Sequence, residues 1–160
     1  MATFNRTAAV KYAKQYALTY NSDYISYPSD CTNFVSQALL AGGWTMVKGS
    51  RKSERVWYYS SGLLSSPSYT WGGADNFAGF LAYSGRGSVI GDPLQLDPGD
   101  VLQIADDSDH VWHTMIVTGK GSDLLLSYHT HDTLNKPLSV VRSLVKSGYF
   151  IAWKLADVFA

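Results

Sequence analysis

The sequence predicts an α+β domain in which N-terminal helices pack on a small antiparallel β-sheet, and three observations point that way. Apolar residues recur at helical spacing through the first part of the chain. After Val101 the text breaks into short β-rich runs between Asp, Gly and Ser clusters. Helices first and strands afterwards is the order of a segregated α+β fold. At 160 residues and 46% hydrophobic content, a single domain over 1–160 buries a substantial core.

Ala8, Ala9, Tyr12, Ala13, Tyr16 and Ala17 step by three and four, so a helix is expected from Arg6 to Tyr20, capped by Asn5 or Thr7. Residues 21–29 are rich in Asn, Ser, Asp and Tyr and carry Pro28, the composition of a loop. A second helix of about three turns begins near Asp30, its N-cap, and stops at Gly42-Gly43. Residues 45–69 read as an irregular, aromatic-rich surface excursion and a candidate substrate wall. Asp75 to Tyr83 reads as a short helix capped by Asp75 and ended by Gly85. Strands are expected at Val101 to Ile104, Thr114 to Thr118, Leu124 to Tyr128 and Phe150 to Leu155.

The 13 basic and 13 acidic residues cancel, so no long-range attraction favours nucleic acid or an anionic membrane. No run approaches the roughly 18 apolar residues of a membrane span, and residues 1–20 lack the pattern of a signal peptide. The expected protein is a monomer without membrane insertion. A single cysteine excludes an intrachain disulfide and a multi-cysteine zinc site.

That cysteine, Cys31, falls in the first turn of the second helix, where unpaired N–H groups and the helix dipole favour a thiolate nucleophile. A catalytic cysteine needs a base supplied from elsewhere. His113 stands at a strand start, and alternation sets it on one face with Met115 and Val117; if that face meets the Cys31 helix, the imidazole approaches the sulfur. His129 ends the next strand, sharing a face with Ser127 and Leu125, and a neighbouring antiparallel strand would bring it beside His113 as the orienting third member. Asp132 and Asn135 are alternatives for that role. His110 and His131 lie in turn-like, Asp-rich text and are expected at the surface. Tyr24 and Tyr27 precede the nucleophile and are candidates for contacting substrate or supplying an oxyanion donor.

Asp-Cys-Thr-Asn-Phe-Val-Ser-Gln at 30–37 followed by Ala41-Gly42-Gly43, Trp71 before a short helix, Pro-Gly-Asp at 98–100, His-Thr-Met-Ile-Val-Thr at 113–118 and Tyr-His-Thr at 128–130 together resemble a known family. It is the "putative amidase" domain family of the papain-like cysteine peptidase superfamily; more distantly, the order is similar to NlpC-type and CHAP cell-wall hydrolases. The resemblance covers roughly residues 6–155 and implies a papain-like, NlpC-like fold. It also implies Cys31 as nucleophile, His113 as base and His129 as the polar third member. Family likeness further implies cleavage of amide bonds in bacterial peptidoglycan, as amidase or endopeptidase, with no cofactor and no metal. The place of action would be the wall or the extracellular space, in a phage lysin (endolysin), an effector or an excised domain.

In the expected reaction a Cys31 thiolate paired with protonated His113 attacks a peptide carbonyl, and the thioester goes to water, or to an amine in an acyltransferase. One rival is a zinc hydrolase assembled from His110, His113, His129 and His131 with Asp132 or Cys31. The other is a wall- or peptide-binding module without turnover.

Overall fold

The computed structural model describes residues 1–160 throughout. Strand β1 (Ala2–Thr3) leads into α1 (Arg6–Tyr16), which Asn5 caps by accepting the Ala8 N–H at 2.9 Å. α1 ends at Tyr16 and not at Tyr20, because the Tyr16 carbonyl is taken by the ring of His129 at 2.7 Å. Its Ala9 and Ala13 are buried in the core beside Phe34 and Val35 of α2 (Cys31–Ala41).

From Cys31 to Leu39, α2 is buried at every position, which makes it the central rod of the domain. Its polar side chains are therefore all spoken for: Ser36 donates to the Trp71 carbonyl at 2.8 Å and Gln37 accepts from the Tyr12 hydroxyl at 2.6 Å. Residues 45–69 wrap the outside of this rod with few regular bonds, among them the Val47 and Trp57 bridge. The short α3 (Tyr69–Gly72) and then α4 (Ala74–Ser84) follow. Gly85, at φ 69°, stops α4 in the left-handed conformation that glycine tolerates. Asp75 does not cap α4, as the sequence suggested; Gly73 holds the N-cap position, and the Asp75 carboxylate accepts instead from the Val111 N–H at 3.0 Å.

Strands β2 (Gly87–Ile90), β3 (Val101–Ala105), β4 (Val111–Lys120), β5 (Leu124–Tyr128), β6 (Thr133–Pro137) and β7 (Tyr149–Leu155) form one antiparallel sheet in the order β2-β7-β3-β4-β5-β6. β8 (Val158–Phe159) pairs with β1 in a separate ribbon. The predicted α+β class with an antiparallel sheet stands. Two elements of the sheet, β2 and β6, and the helix α5 (Leu138–Leu144) were not expected from the sequence.

Apolar side chains fill both faces of the sheet. On one face Val101, Ile116 and Trp153 pack with Phe34, Val35, Trp57, Trp71, Phe77 and Phe80 from the helices and the excursion. On the other, Leu102, Ile104, Met115, Val117, Leu124 and Leu126 pack under Leu138 and Val141 of α5. The result is three layers, with α5 on the face opposite α2. Asp100 of the Pro-Gly-Asp turn ties the layers at one end: it pairs with Arg6 at 2.8 Å and Lys154 at 3.0 Å and accepts the Leu155 N–H at 2.8 Å.

Candidate active site

Cys31 is the first residue of α2, with its thiol buried. The Thr32 hydroxyl lies 3.8 Å from the sulfur, and the backbones of Thr114, Thr32 and Cys31 itself pull the thiol toward its charged form. Sheet geometry explains the Thr114 contact. Val117 exchanges bonds with Gly99 and Asp100 on the β3 side, so alternation turns the N–H of Thr114 toward β5. Pairing between β4 and β5 reaches only as far as Ile116 with Ser127. Beyond it β4 is unpaired on that side, where Thr32 of α2 contacts Thr114. The Thr32 hydroxyl meets Thr114 Oγ1 at 2.8 Å, which Gln103 also contacts at 3.1 Å, fixing the helix start on the strand.

His113 is joined to Thr114 by the peptide whose N–H faces the sulfur. Its side chain shares a face with Met115 and Val117, as alternation requires, but that face is covered by α5 and not by α2. The imidazole lies in a cavity of about 310 Å³ lined by Ile104, Trp112, Tyr128, His131 and Val141 among others. Its ring is stacked near Trp112 at 5.6 Å and edge-on to Tyr128 at 4.8 Å. A bulge at Ile104 and Ala105 lets Trp112 and His113 lean together. No hydrogen bond joins the imidazole to the sulfur. The expectation that this face meets the Cys31 helix is corrected accordingly.

Burial sets the protonation states. It pushes the Cys31 thiol up against the pull of its N–H partners. It drives the His113 imidazole down to about 4, helped by the nearby charge of His131. Both shifts favour the neutral forms, thiol and imidazole, over the expected thiolate and imidazolium. Alkylation of Cys31 by iodoacetamide should therefore keep accelerating past about pH 8.5, the ordinary thiol range, with no plateau between roughly pH 5 and 7. A mildly acidic plateau would mean a preformed ion pair.

His129 does not orient His113. It projects from the end of β5 to the α2 side, stacked between Tyr20 at 4.3 Å and Phe34 at 4.2 Å. Its Nδ1 lies 2.8 Å from Asp30 Oδ2 and its Nε2 2.7 Å from the Tyr16 carbonyl. Both neighbours are acceptors, so both ring nitrogens carry protons. Burial opposes that charge, yet the bonds to Asp30 and Tyr16 outweigh it and hold the pKa above its ordinary value. Asp30 sits at the N-cap of α2 without a side-chain capping bond. Its other oxygen accepts from the Tyr27 N–H at 2.8 Å and Asn33 Nδ2 at 2.9 Å. The acid that looked like a cap is the anchor of the loop before the nucleophile.

The alternative third members are also committed elsewhere. Asp132 accepts from the Tyr20 hydroxyl at 3.1 Å, and Asn135 accepts from Thr118 Oγ1 at 2.6 Å. His131 is exposed, as expected, and it also lines the cavity that holds His113. It and Thr130 adopt left-handed φ values of 62° and 63°, and Thr130 Oγ1 accepts the Asp30 N–H at 3.1 Å. Strain of that kind in a β-branched residue collects at functional sites. His110 is exposed, 3.9 Å from Asp75. No three His, Cys, Asp or Glu side chains converge as a metal requires, so the zinc reading loses its ligand set.

Tyr24 packs edge-on to Tyr59 at 4.8 Å and stacks near Trp71 at 6.1 Å. Tyr27 instead lines a cleft of about 500 Å³ that runs from Ser29, two residues before the nucleophile, to Asn76 of α4. The excursion supplies Arg51, Pro67, Ser68 and Tyr69 to its wall.

The chain matches the model of the family described as "Putative amidase domain" over residues 3–152. It belongs to that family. Among curated proteins, this amidase-family domain is 35% identical over 138 residues to the uncharacterized protein YjcM of Bacillus subtilis (strain 168), covering 85% of the chain and 33% of that protein. It is 32% identical over 136 residues to the uncharacterized protein YhbB of the same organism, covering 81% of the chain and 42% of that protein. The chain thus spans well under half the length of these relatives. No solved structure matches it. No helix of the domain is long and apolar enough to cross a membrane.

Proposed function

We propose that this amidase-family domain is a papain-like cysteine hydrolase that cleaves amide bonds in the peptides of bacterial peptidoglycan, acting at the wall from outside the membrane. One observation carries the reading: the Cys31 sulfur stands at the start of a buried helix, 3.8 Å from the Thr32 hydroxyl, where the backbones of Thr114, Thr32 and Cys31 favour its charged form. Such donors stabilise the negative charge that sulfur takes up as its proton leaves. The residue one peptide bond from the Thr114 donor is His113, an imidazole that burial keeps neutral and able to accept that proton.

His113 takes the thiol proton as sulfur adds to the carbonyl carbon. The carbonyl π electrons move to oxygen, which the Cys31 N–H stabilises. Collapse re-forms the carbonyl, breaks the C–N bond and passes the proton from imidazolium to the departing amine. Water then adds to the thioester with His113 again as base, releasing the acid and restoring the thiol. This sequence of steps requires the His113 ring to leave its cavity on the α5 face and reach the β4 edge when substrate binds, because in the free domain it lies on the face opposite α2.

The test is digestion of purified peptidoglycan followed by mass spectrometry of the released fragments, with iodoacetamide and a chelator in parallel. Release that alkylation stops and chelation spares supports the reading, and the fragment masses identify the bond. Release that chelation stops and alkylation spares refutes it.

A further inference from the structure

The cleft lined by Tyr27, Pro28 and Ser29 of the loop before Cys31 carries a charge signature that the mechanism does not use. Of its eleven lining residues Arg51 alone is charged, and no carboxylate faces it. Arg51 is exposed but not loose. Its Nε donates to the Pro67 carbonyl at 2.9 Å, its guanidinium lies over the Tyr69 ring at 4.9 Å, and its own carbonyl accepts the Tyr69 N–H at 3.0 Å. These anchors hold the head group in one orientation, while both Nη atoms make no hydrogen bond or ion pair within the protein. The Tyr27 phenol stands on the same cleft, near enough for the Arg51 charge to act on it. Two acids adjoin lining residues in sequence: Asp30 is buried and spent on His129, Asn33 and the Tyr27 N–H, and Asp75 accepts the Val111 N–H at 3.0 Å.

A planar guanidinium with a free pair of Nη groups matches a carboxylate two bonds at a time. Stacking on an aromatic ring reduces the entropy lost when those bonds form. Gly72 and Gly73 contribute no side chains to the lining, and the space over Gly72 is open.

We propose that this cleft is the subsite for a carboxylate-bearing residue of the substrate next to the scissile amide, with Arg51 gripping the carboxylate and so selecting acidic peptides over their amidated forms. The inference deepens the proposed hydrolase reading and rests on it for the position of the scissile bond. The binding claim itself is separable, and the experiment keeps it so.

The Cys31→Ala protein, which does not turn over substrate, is titrated calorimetrically with two peptide pairs. The first is a soluble wall stem peptide with its glutamate carboxylate free or amidated; the second is a linear acetylated peptide containing Glu or Gln. The expected result is at least about tenfold tighter binding of the carboxylate form. Arg51→Met abolishes that preference without weakening the amidated peptide, and Arg51→Lys restores only part of it, because an ammonium lacks the fork. Melting curves of both variants establish that they remain folded. Equal binding of acid and amide forms, a preference that survives Arg51→Met, or no binding of any peptide overturns the subsite. A preference seen only with the linear pair upholds the subsite while counting against wall peptides as the substrate.

Discussion

Cys31→Ala loses hydrolysis by about four orders of magnitude or more, the loss typical of removing a nucleophile from a catalytic unit, while the domain stays folded. Activity vanishes because no other thiol exists in the chain. Stability suffers little: the change removes one sulfur atom from a packed site, at a cost of about 1 kcal/mol for the lost contacts and the orphaned donors. Cys31→Ser is the more discriminating variant. It retains an acceptor for the same donors, yet it also fails, since an imidazole pushed down to about 4 is too weak a base to activate a hydroxyl. His113→Ala should fall nearly as far as Cys31→Ala, because nucleophile and base act as a unit. Release of wall peptides and a urea unfolding midpoint are measured on the same preparations. Full activity in Cys31→Ala with an unchanged midpoint would end the cysteine mechanism.

How much of this was legible in the sequence depends on how local the cause is. The position of Cys31 at a helix start follows from residues 30–43 alone, and so does the stop at Gly42. Strand alternation also read correctly: His113 does share a face with Met115 and Val117. Which layer covers that face was not legible, because the cover is α5. Its apolar residues, Leu138, Val140, Val141 and Leu144 behind Pro137, fall within seven positions, too short a run to show a period. β6 was missed for a similar reason, since Thr133–Pro137 is a polar edge strand with a left-handed Asn135 and no alternation. Pairings remote in sequence were equally hidden. Asp30 looked like a cap because capping is a local habit of Asp, whereas its partner His129 lies 99 residues away. Arg51 drew no attention inside an irregular segment, and only the fold sets it on one cleft with Tyr27 and Ser29.

The Asp30 and His129 pair yields the second large effect, and its sign depends on pH. Both side chains are only 2% exposed, and the ring sits between Tyr20 and Phe34 with an acceptor at each nitrogen. Asp30→Asn leaves that imidazolium without its counter-charge, and breaking one partner of a buried pair costs about 3 kcal/mol or more. Because the folded pKa of His129 is raised, its contribution is fully present below the unfolded value of about 6.5 and fades as pH climbs through the folded value. The gap in stability between wild type and Asp30→Asn should therefore be widest near about pH 5.5 and narrow at alkaline pH. Deprotonation would leave one ring nitrogen facing the Tyr16 carbonyl or the Asp30 carboxylate with a lone pair against lone pairs, so the alkaline wild type loosens at the junction of α1, α2 and β5. That junction holds the loop before Cys31 through the Tyr27 N–H and Asn33, and activity should fall with it. Urea midpoints at several pH values for wild type, Asp30→Asn and His129→Gln read the effect directly. A gap that stays constant with pH, or widens above neutrality, would show that His129 is buried neutral and that the pair is an ordinary hydrogen bond.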